Sequence, residues 1–434
     1  MSTDLWAETG IPAATDTLLK SALDKAFWRL LPLLTLGFLF NFIDRTAVGF
    51  AALTMNQDLG LTATQFGWGA GILFIGYCAL EVPSNLILYR VGARRWLARI
   101  MVTWGLAAMA SAFVTGPISF YATRFLLGTF EAGFAPGVYF LLSAWFPVQQ
   151  RTRMLGWFML AIPLSTVVGG PLSGLLVQMH GTLGVKGWQW IFLLEGLPTC
   201  LIGIATWFML TDSPASATWL SPPERAALDA QLASEHRDRP HATFSAILAD
   251  PRVLVLSGIT FCFTVGSYGI SMWLPLILKS QGLGSGTIGL VSAIPSLFAA
   301  AGMLLWAIHT DRTGNRIGNL AMACSLGAIG LGVSYWFPTL VPGLVGVTLA
   351  LIGITAARTI FFAIPSRFLT GAAAAGGLAL INSVGAFGGF VGPFAVGWLK
   401  DQTGGFSIPM AALGAFLIVS VLLTLSLRLL LRED

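Results

Sequence analysis

The sequence predicts an all-α membrane protein of twelve transmembrane helices in two pseudo-symmetric six-helix bundles. Three observations predict it. Mean hydropathy is +0.79 with 56% hydrophobic and 10% charged residues, whereas soluble domains carry about 25% charged residues. Stretches near the roughly 20 apolar residues needed to cross a bilayer recur twelve times. The second six carry marks of the first six at matching places.

Residues 1–26 are polar and mixed in charge. They hold no apolar core followed by a small-residue cleavage site, so the first hydrophobic segment is read as a retained transmembrane helix. The spans fall at 27–52, 65–89, 96–114, 117–146, 153–178 and 188–210, then 252–278, 286–308, 317–337, 341–364, 373–399 and 407–430. The order is therefore a tail at 1–26, a bundle at 27–210, a linker at 211–251, a second bundle at 252–430 and a tail at 431–434. In the linker, Ser221-Pro222-Pro223-Glu224 reads as a capping box with proline at the first helical position. It opens a short amphipathic helix through about Glu235, with Leu228 and Leu232 on one face, lying against the bundle or the membrane surface.

Orientation follows from basic residues in short loops. An inside amino terminus puts eighteen Lys and Arg on the cytoplasmic side, among them Arg90, Arg94, Arg237, Arg239, Arg312, Arg316, Arg367 and Arg432. Only Lys186, Lys279 and Lys400 fall outside, so both termini are expected in the cytoplasm. The pI near 9.2 reflects this bias; the basic residues form no run with interleaved aromatics, and no nucleic acid is expected. Cys78, Cys200, Cys262 and Cys324 lie singly in apolar segments and suggest neither a disulfide framework nor a metal site. No phosphate-binding loop or serine-histidine arrangement is present.

The repeat is specific. Arg90-Val91-Gly92-Ala93-Arg94 follows the second span, and Arg312-Thr313-Gly314-Asn315-Arg316, preceded by Asp311, follows the eighth. Gly169-Gly170-Pro171 with Gly174 in the fifth span is echoed by Gly389, Gly392-Pro393 and Gly397 in the eleventh. Paired Gly/Pro interruptions in two halves point to a transporter built of repeats. Asp44 and Arg45 in the first span, and Arg124 and Glu131 in the fourth, are charges in apolar segments and hence functional-site candidates. The competing role is that of helix-locking ion pairs.

Together these elements resemble the major facilitator superfamily, and longer stretches resemble its anion:cation symporter branch. The matching text is Asn41-Phe42-Ile43-Asp44-Arg45, Gly76-Tyr77 with Glu81-Val82-Pro83-Ser84-Asn85, Arg124 to Gly128 with Glu131-Ala132-Gly133, Trp188 to Phe192 with Glu195-Gly196, and Ile381-Asn382-Ser383 with Gly385. The nearest tone is of the bacterial tartrate, phthalate and hydroxyphenylacetate carriers. The resemblance implies protonation at Asp44 and Glu131. It also implies carboxylate binding or acid holding by Arg45 and Arg124, and substrate hydrogen bonds from Tyr77 and Asn382. Three departures stand out: Tyr89 replaces an Asp usual in the first cytoplasmic loop, Ile162-Pro163 stands where sugar-acid carriers place a glutamine, and Arg358 lies inside the tenth span.

The remaining candidates carry open alternatives. Arg358 snorkels or faces the cavity. Tyr268 lines the cavity or packs at an interface, and Asn382 bonds substrate or a neighbouring helix. Glu81 gates or snorkels; Arg90, Arg94, Asp311, Arg312 and Arg316 are expected in gating pairs, and Glu195 in a structural role. The expected function is proton-coupled import of a small organic anion by alternating access. It involves no covalent step and no cofactor beyond the coupling protons. The setting is a bacterial inner membrane, with lipid and substrate as partners and a monomer as the unit. A uniporter or exchanger of the same fold, or a carrier-like sensor, are the alternatives.

Overall fold

The computed structural model describes residues 13–234, 250–362, 364–365 and 371–430, with all side chains among them but those of 13–16, 152 and 371–376. Residues 1–12 and 431–434, Arg237, Arg239 and Arg367 in the topology reading, and Glu235 at the expected end of the linker helix lie outside the described residues. The amino-terminal bundle comprises α1 (Ala13–Asp58), α2 (Ala63–Val91), α3 (Ala93–Ala110), α4 (Pro117–Glu131), α5 (Phe134–Trp145), α6 (Val148–Met159), α7 (Ala161–Gln178) and α8 (Gly187–Met209). The linker holds α9 (Pro222–Ser234). The carboxyl-terminal bundle comprises α10 (Pro251–Ser280), α11 (Ser285–Thr313), α12 (Arg316–Trp336), α13 (Leu340–Phe361), α14 (Gly371–Thr403) and α15 (Ser407–Leu430). Among the described residues, twelve segments are long and apolar enough to cross a membrane. This is a multi-pass membrane protein.

Two features differ from the sequence expectation. The fourth and fifth spans are each two helices, α4 with α5 and α6 with α7. Helix α1 runs back to Ala13 through the expected tail, because Leu19, Ala22, Leu23, Ala26 and Leu30 form one buried stripe at helical spacing. Part of that stripe packs against α9, whose Leu228 and Leu232 are buried. The linker helix thus rests on the bundle. Its capping box forms, with the Ser221 amide donating to Glu224 Oε2 at 2.9 Å. Glu224 also accepts from Lys25 Nζ and Ser21 Oγ, each at 2.6 Å. These donors, Lys25 first, hold the Glu224 carboxyl down at about 2, so the clamp is an ion pair at neutral pH. Trp219 stacks on Trp145 at 5.2 Å and extends the contact.

The bundles meet along three helix pairs, α2 with α14, α7 with α11, and α1 with α10. Glycines set the closeness. Gly67 lies on the Pro393 backbone, Gly174 on Gly289, and Gly49 on the Met272 backbone, so a side chain at any of these would collide with main chain. The Gly/Pro marks of the two halves are therefore the places where the bundles cross. All three crossings lie toward the membrane face opposite the two chain ends, here called distal. Farther down, Cys78 Sγ still reaches the Ser383 carbonyl at 3.7 Å. Below it, Val82, Pro83, Leu86, Ile87, Tyr89 and Arg90 are exposed over one broad arc of α2. The bundle contacts named here lie at or distal to the Cys78 level.

Two charged groups fasten the distal side. Lys279 Nζ donates to the Leu53 carbonyl across the bundles. Asp401 at the end of α14 accepts from the backbone amides of Ala63 and Thr64 at 3.1 and 2.7 Å and from Thr64 Oγ1 at 2.6 Å. Helix starts leave amides unsatisfied and carry partial positive charge, so one bundle caps a helix of the other. Such a cap is worth about 1 kcal/mol and stabilises only the distally closed state. Asp401→Ala is expected to shift the population toward the distally open state roughly fivefold. The check is the distance distribution between spin labels on the distal ends of α2 and α14. An unchanged distribution would remove Asp401 from the gate.

Candidate functional site

The site begins at the break in the fourth span. Ala132 leaves helical geometry, and Gly133 adopts φ +89°, so α4 stops at Glu131 and α5 starts at Phe134. Ser84 Oγ donates to the Ala132 carbonyl at 2.7 Å, satisfying a group the break frees. A Cβ at residue 133 would strike Ser84. Irregular backbone at membrane depth occurs where it lines a site. Here it leaves an acid at the negative end of a helix, where a cation is needed beside it.

Arg45 supplies that cation. Its Nε donates to Glu131 Oε1 at 2.7 Å, and Nη2 bonds the same oxygen. Nη1 reaches across the bundle interface to the Tyr268 hydroxyl at 3.0 Å. The guanidinium carbon stands 5.1 Å from the Tyr77 ring centroid, 5.4 Å from Phe42 and 5.5 Å from Phe74, an aromatic surround suited to a cation. Glu131 is fully enclosed, and its Oε2 has no hydrogen-bond partner.

Asp44, one residue away, turns the other direction because neighbours on a helix point about 100° apart. It enters the amino-terminal bundle, and Oδ2 accepts from Trp104 Nε1 at 2.6 Å. Arg124 is fully enclosed in the same bundle, and none of its three nitrogens makes a hydrogen bond. Glu131 and Asp44 both lie within its electrostatic range. Neither same-helix ion pair weighed from the sequence forms. Arg45 pairs with Glu131 between helices, Asp44 pairs with an indole, and Arg124 faces two acids while bonding neither.

The other candidates divide. Tyr77 hydroxyl donates to Glu81 Oε1 at 3.4 Å, on the part of α2 nearer the chain ends. Arg358 Nη2 donates to Ser267 Oγ at 3.2 Å, next to Tyr268, and the electrostatic reach of Arg358 includes Tyr268 and Arg45. It therefore points to the bundle interface. Asn382 is exposed on α14 near the level of the Cys78 bridge. Arg90, Asp311 and Arg312 are exposed, and the Arg94 amide donates to Asp212 at 2.7 Å. The structure thus joins Arg45, Glu131, Tyr268, Tyr77 and Arg358 into one interface cluster, with Asp44 and Arg124 behind it. Sequence reasoning missed Trp104, one of fifteen tryptophans. Its only signal was an indole N–H in an apolar helix, which usually finds a partner when buried.

The sequence profile of the Major Facilitator Superfamily matches residues 34–393. A protein named as a tartrate transporter from Agrobacterium vitis is 47% identical over 407 residues, covering 93% of this chain and 94% of that one. A protein of Pseudomonas putida named as the metabolite transport protein NicT is 41% identical, covering 94% of each. Among solved structures, a bacterial homolog of the lysosomal transporter Spinster, inward-facing and occupied, aligns with a TM-score of 0.76 at 17% identity over 92% of this chain and 96% of its own. The xylose transporter XylE of Escherichia coli, partially occluded and inward-open, gives 0.72 at 13% identity over 93% and 97%.

Proposed function

Because the chain belongs to the major facilitator superfamily, and is thus a transporter, we propose that it couples proton entry to the import of a small organic anion carrying one or two carboxylates. One observation carries the reading: Arg45 is held by Glu131 from its own bundle and by Tyr268 from the other. A substrate carboxylate seeking a planar two-pronged donor competes with Glu131 for the same guanidinium. Displaced, Glu131 stands at a helix end with a bare oxygen, and a proton on that oxygen neutralises it. Substrate and proton then occupy the cluster together. Empty, the carrier reforms the Arg45–Glu131 pair.

Arg358 extends the site into the second bundle. A dianion whose ends meet Arg45 and Arg358 touches both bundles at once, and a ligand shifts only the state it contacts better. The tartrate name of a relative sharing nearly half its residues favours a substrate of this kind. The distal face is taken as the outside of a bacterial inner membrane, which puts both chain ends in the cytoplasm and makes the present state inward-open.

Purified protein in proteoliposomes tests the reading. Adding tartrate or a matched dicarboxylate outside is expected to draw protons inward with it, alkalinising the outer medium. Arg358→Ala is expected to weaken dicarboxylate transport by on the order of tenfold while sparing matched monocarboxylates. Uptake without proton movement would return the chain to uniport or exchange, and equal loss for both substrate sets would remove the bridging role of Arg358.

A further inference from the structure

Five charged side chains are buried within the spans among the described residues: Asp44, Arg45, Arg124, Glu131 and Glu195. All five belong to the amino-terminal bundle. Arg45 bonds Glu131 and Arg124 lies within range of Glu131 and Asp44, so the two bases serve two of the acids, at a depth where an uncompensated charge costs several kcal/mol. A proton on the acid that neither base serves removes that cost.

The surroundings single out which acid. Glu131 is bonded by Arg45. Asp44 is bonded by the Trp104 indole and lies within reach of Arg124. Glu195 is fully enclosed in α8 and has one donor, Ser173 Oγ on α7 at 2.6 Å, while its Oε2 has none. The charged group facing it is Asp44 on α1, of like sign. On α3 the neighbours of the next residue, Gly196, are the Gly105 carbonyl and Met109, which carry no charge. Among the described residues, no cation bonds Glu195.

Its position is directional. Glu195 lies eight residues into α8 from the distal end, about 12 Å at 1.5 Å per residue. One turn deeper on the same face is Thr199, whose hydroxyl borders Asp44. Glu195 is thus the acid on the distal side of Asp44.

We propose that Glu195 is a third proton-holding acid of this carrier, protonated in the distally closed state and exchanging its proton with Asp44 during the cycle. The step breaks the O–H bond of the Glu195 carboxyl and forms one on the Asp44 carboxylate, with no other bond changed. The exchange half rests on the symport reading; the proton-holding half does not.

The experiment separates them. In nanodisc-reconstituted protein, infrared spectra in light and heavy water report the C=O stretch of protonated carboxyls. Glu195→Gln is expected to remove one component of that band, and Ser173→Ala, which keeps the acid but deletes its donor, to shift the same component. A band unchanged in both variants would overturn the proposal. In proteoliposomes, Glu195→Gln is expected to lower the protons moved per substrate while counterflow of labelled substrate persists. An unchanged ratio in the variant would leave the proton resident and overturn the exchange. Wild-type transport without proton movement would overturn symport, and the exchange with it, while the infrared band still decides where the proton sits.

Discussion

Arg45→Lys is expected to abolish most uptake and to weaken substrate binding by on the order of ten- to a hundredfold. The guanidinium carries two bonds to Glu131 and one to Tyr268 at once, and an ammonium on a thinner stem cannot present a fork to a carboxylate. Hydrogen bonds involving a charged group contribute about 1.5 to 3 kcal/mol each, and each 1.4 kcal/mol is tenfold in affinity. The variant also loses one of the bonds that tie the bundles in this state. Binding measured by isothermal calorimetry, alongside uptake of labelled substrate, checks it. Affinity within about twofold of the wild type would place the anion elsewhere in the cleft.

The second large effect is expected from Glu131→Gln. The amide mimics the protonated acid, so Arg45 is released to substrate at any pH. Counterflow should persist, and accumulation driven by an imposed pH difference should fail. A buried Arg45 left without its carboxylate also loses a partner whose removal typically costs 3 to 5 kcal/mol, so thermal stability should drop and recover on adding substrate. If the variant still concentrates substrate against a gradient, the coupling proton travels on Asp44 or Glu195 alone.

Much of the architecture was legible in the chain. Twelve spans and the Gly/Pro marks are properties of single segments, readable from hydropathy and spacing. The capping box of α9 was also legible, because Ser221 and Glu224 are three residues apart and their contact is local. The start of α1 was not. Its stripe from Leu19 to Leu30 is moderate in hydropathy and becomes a buried face because elements far along the chain cover it, among them α9, some two hundred residues later.

The charges of the site show the same division. Sequence alone marked Asp44, Arg45, Arg124 and Glu131, because a charge in an apolar span is costly enough to need a reason. It could not say which acid meets which base. Asp44 and Arg45 are adjacent in sequence and point apart; Arg124 and Glu131 share a face but stand two turns apart, about 10 Å along the axis. The pairing of Arg45 with Glu131, the indole on Asp44, the exposed Asn382 and the enclosure of Glu195 against Ser173 depend on how separate helices are set beside one another. Hydropathy and periodicity describe one helix at a time, whereas a hydrogen bond between helices is fixed by their packing, here by glycines that bring backbones into contact. The sequence therefore determined which residues had to be answered for, and the tertiary structure decided what answers them.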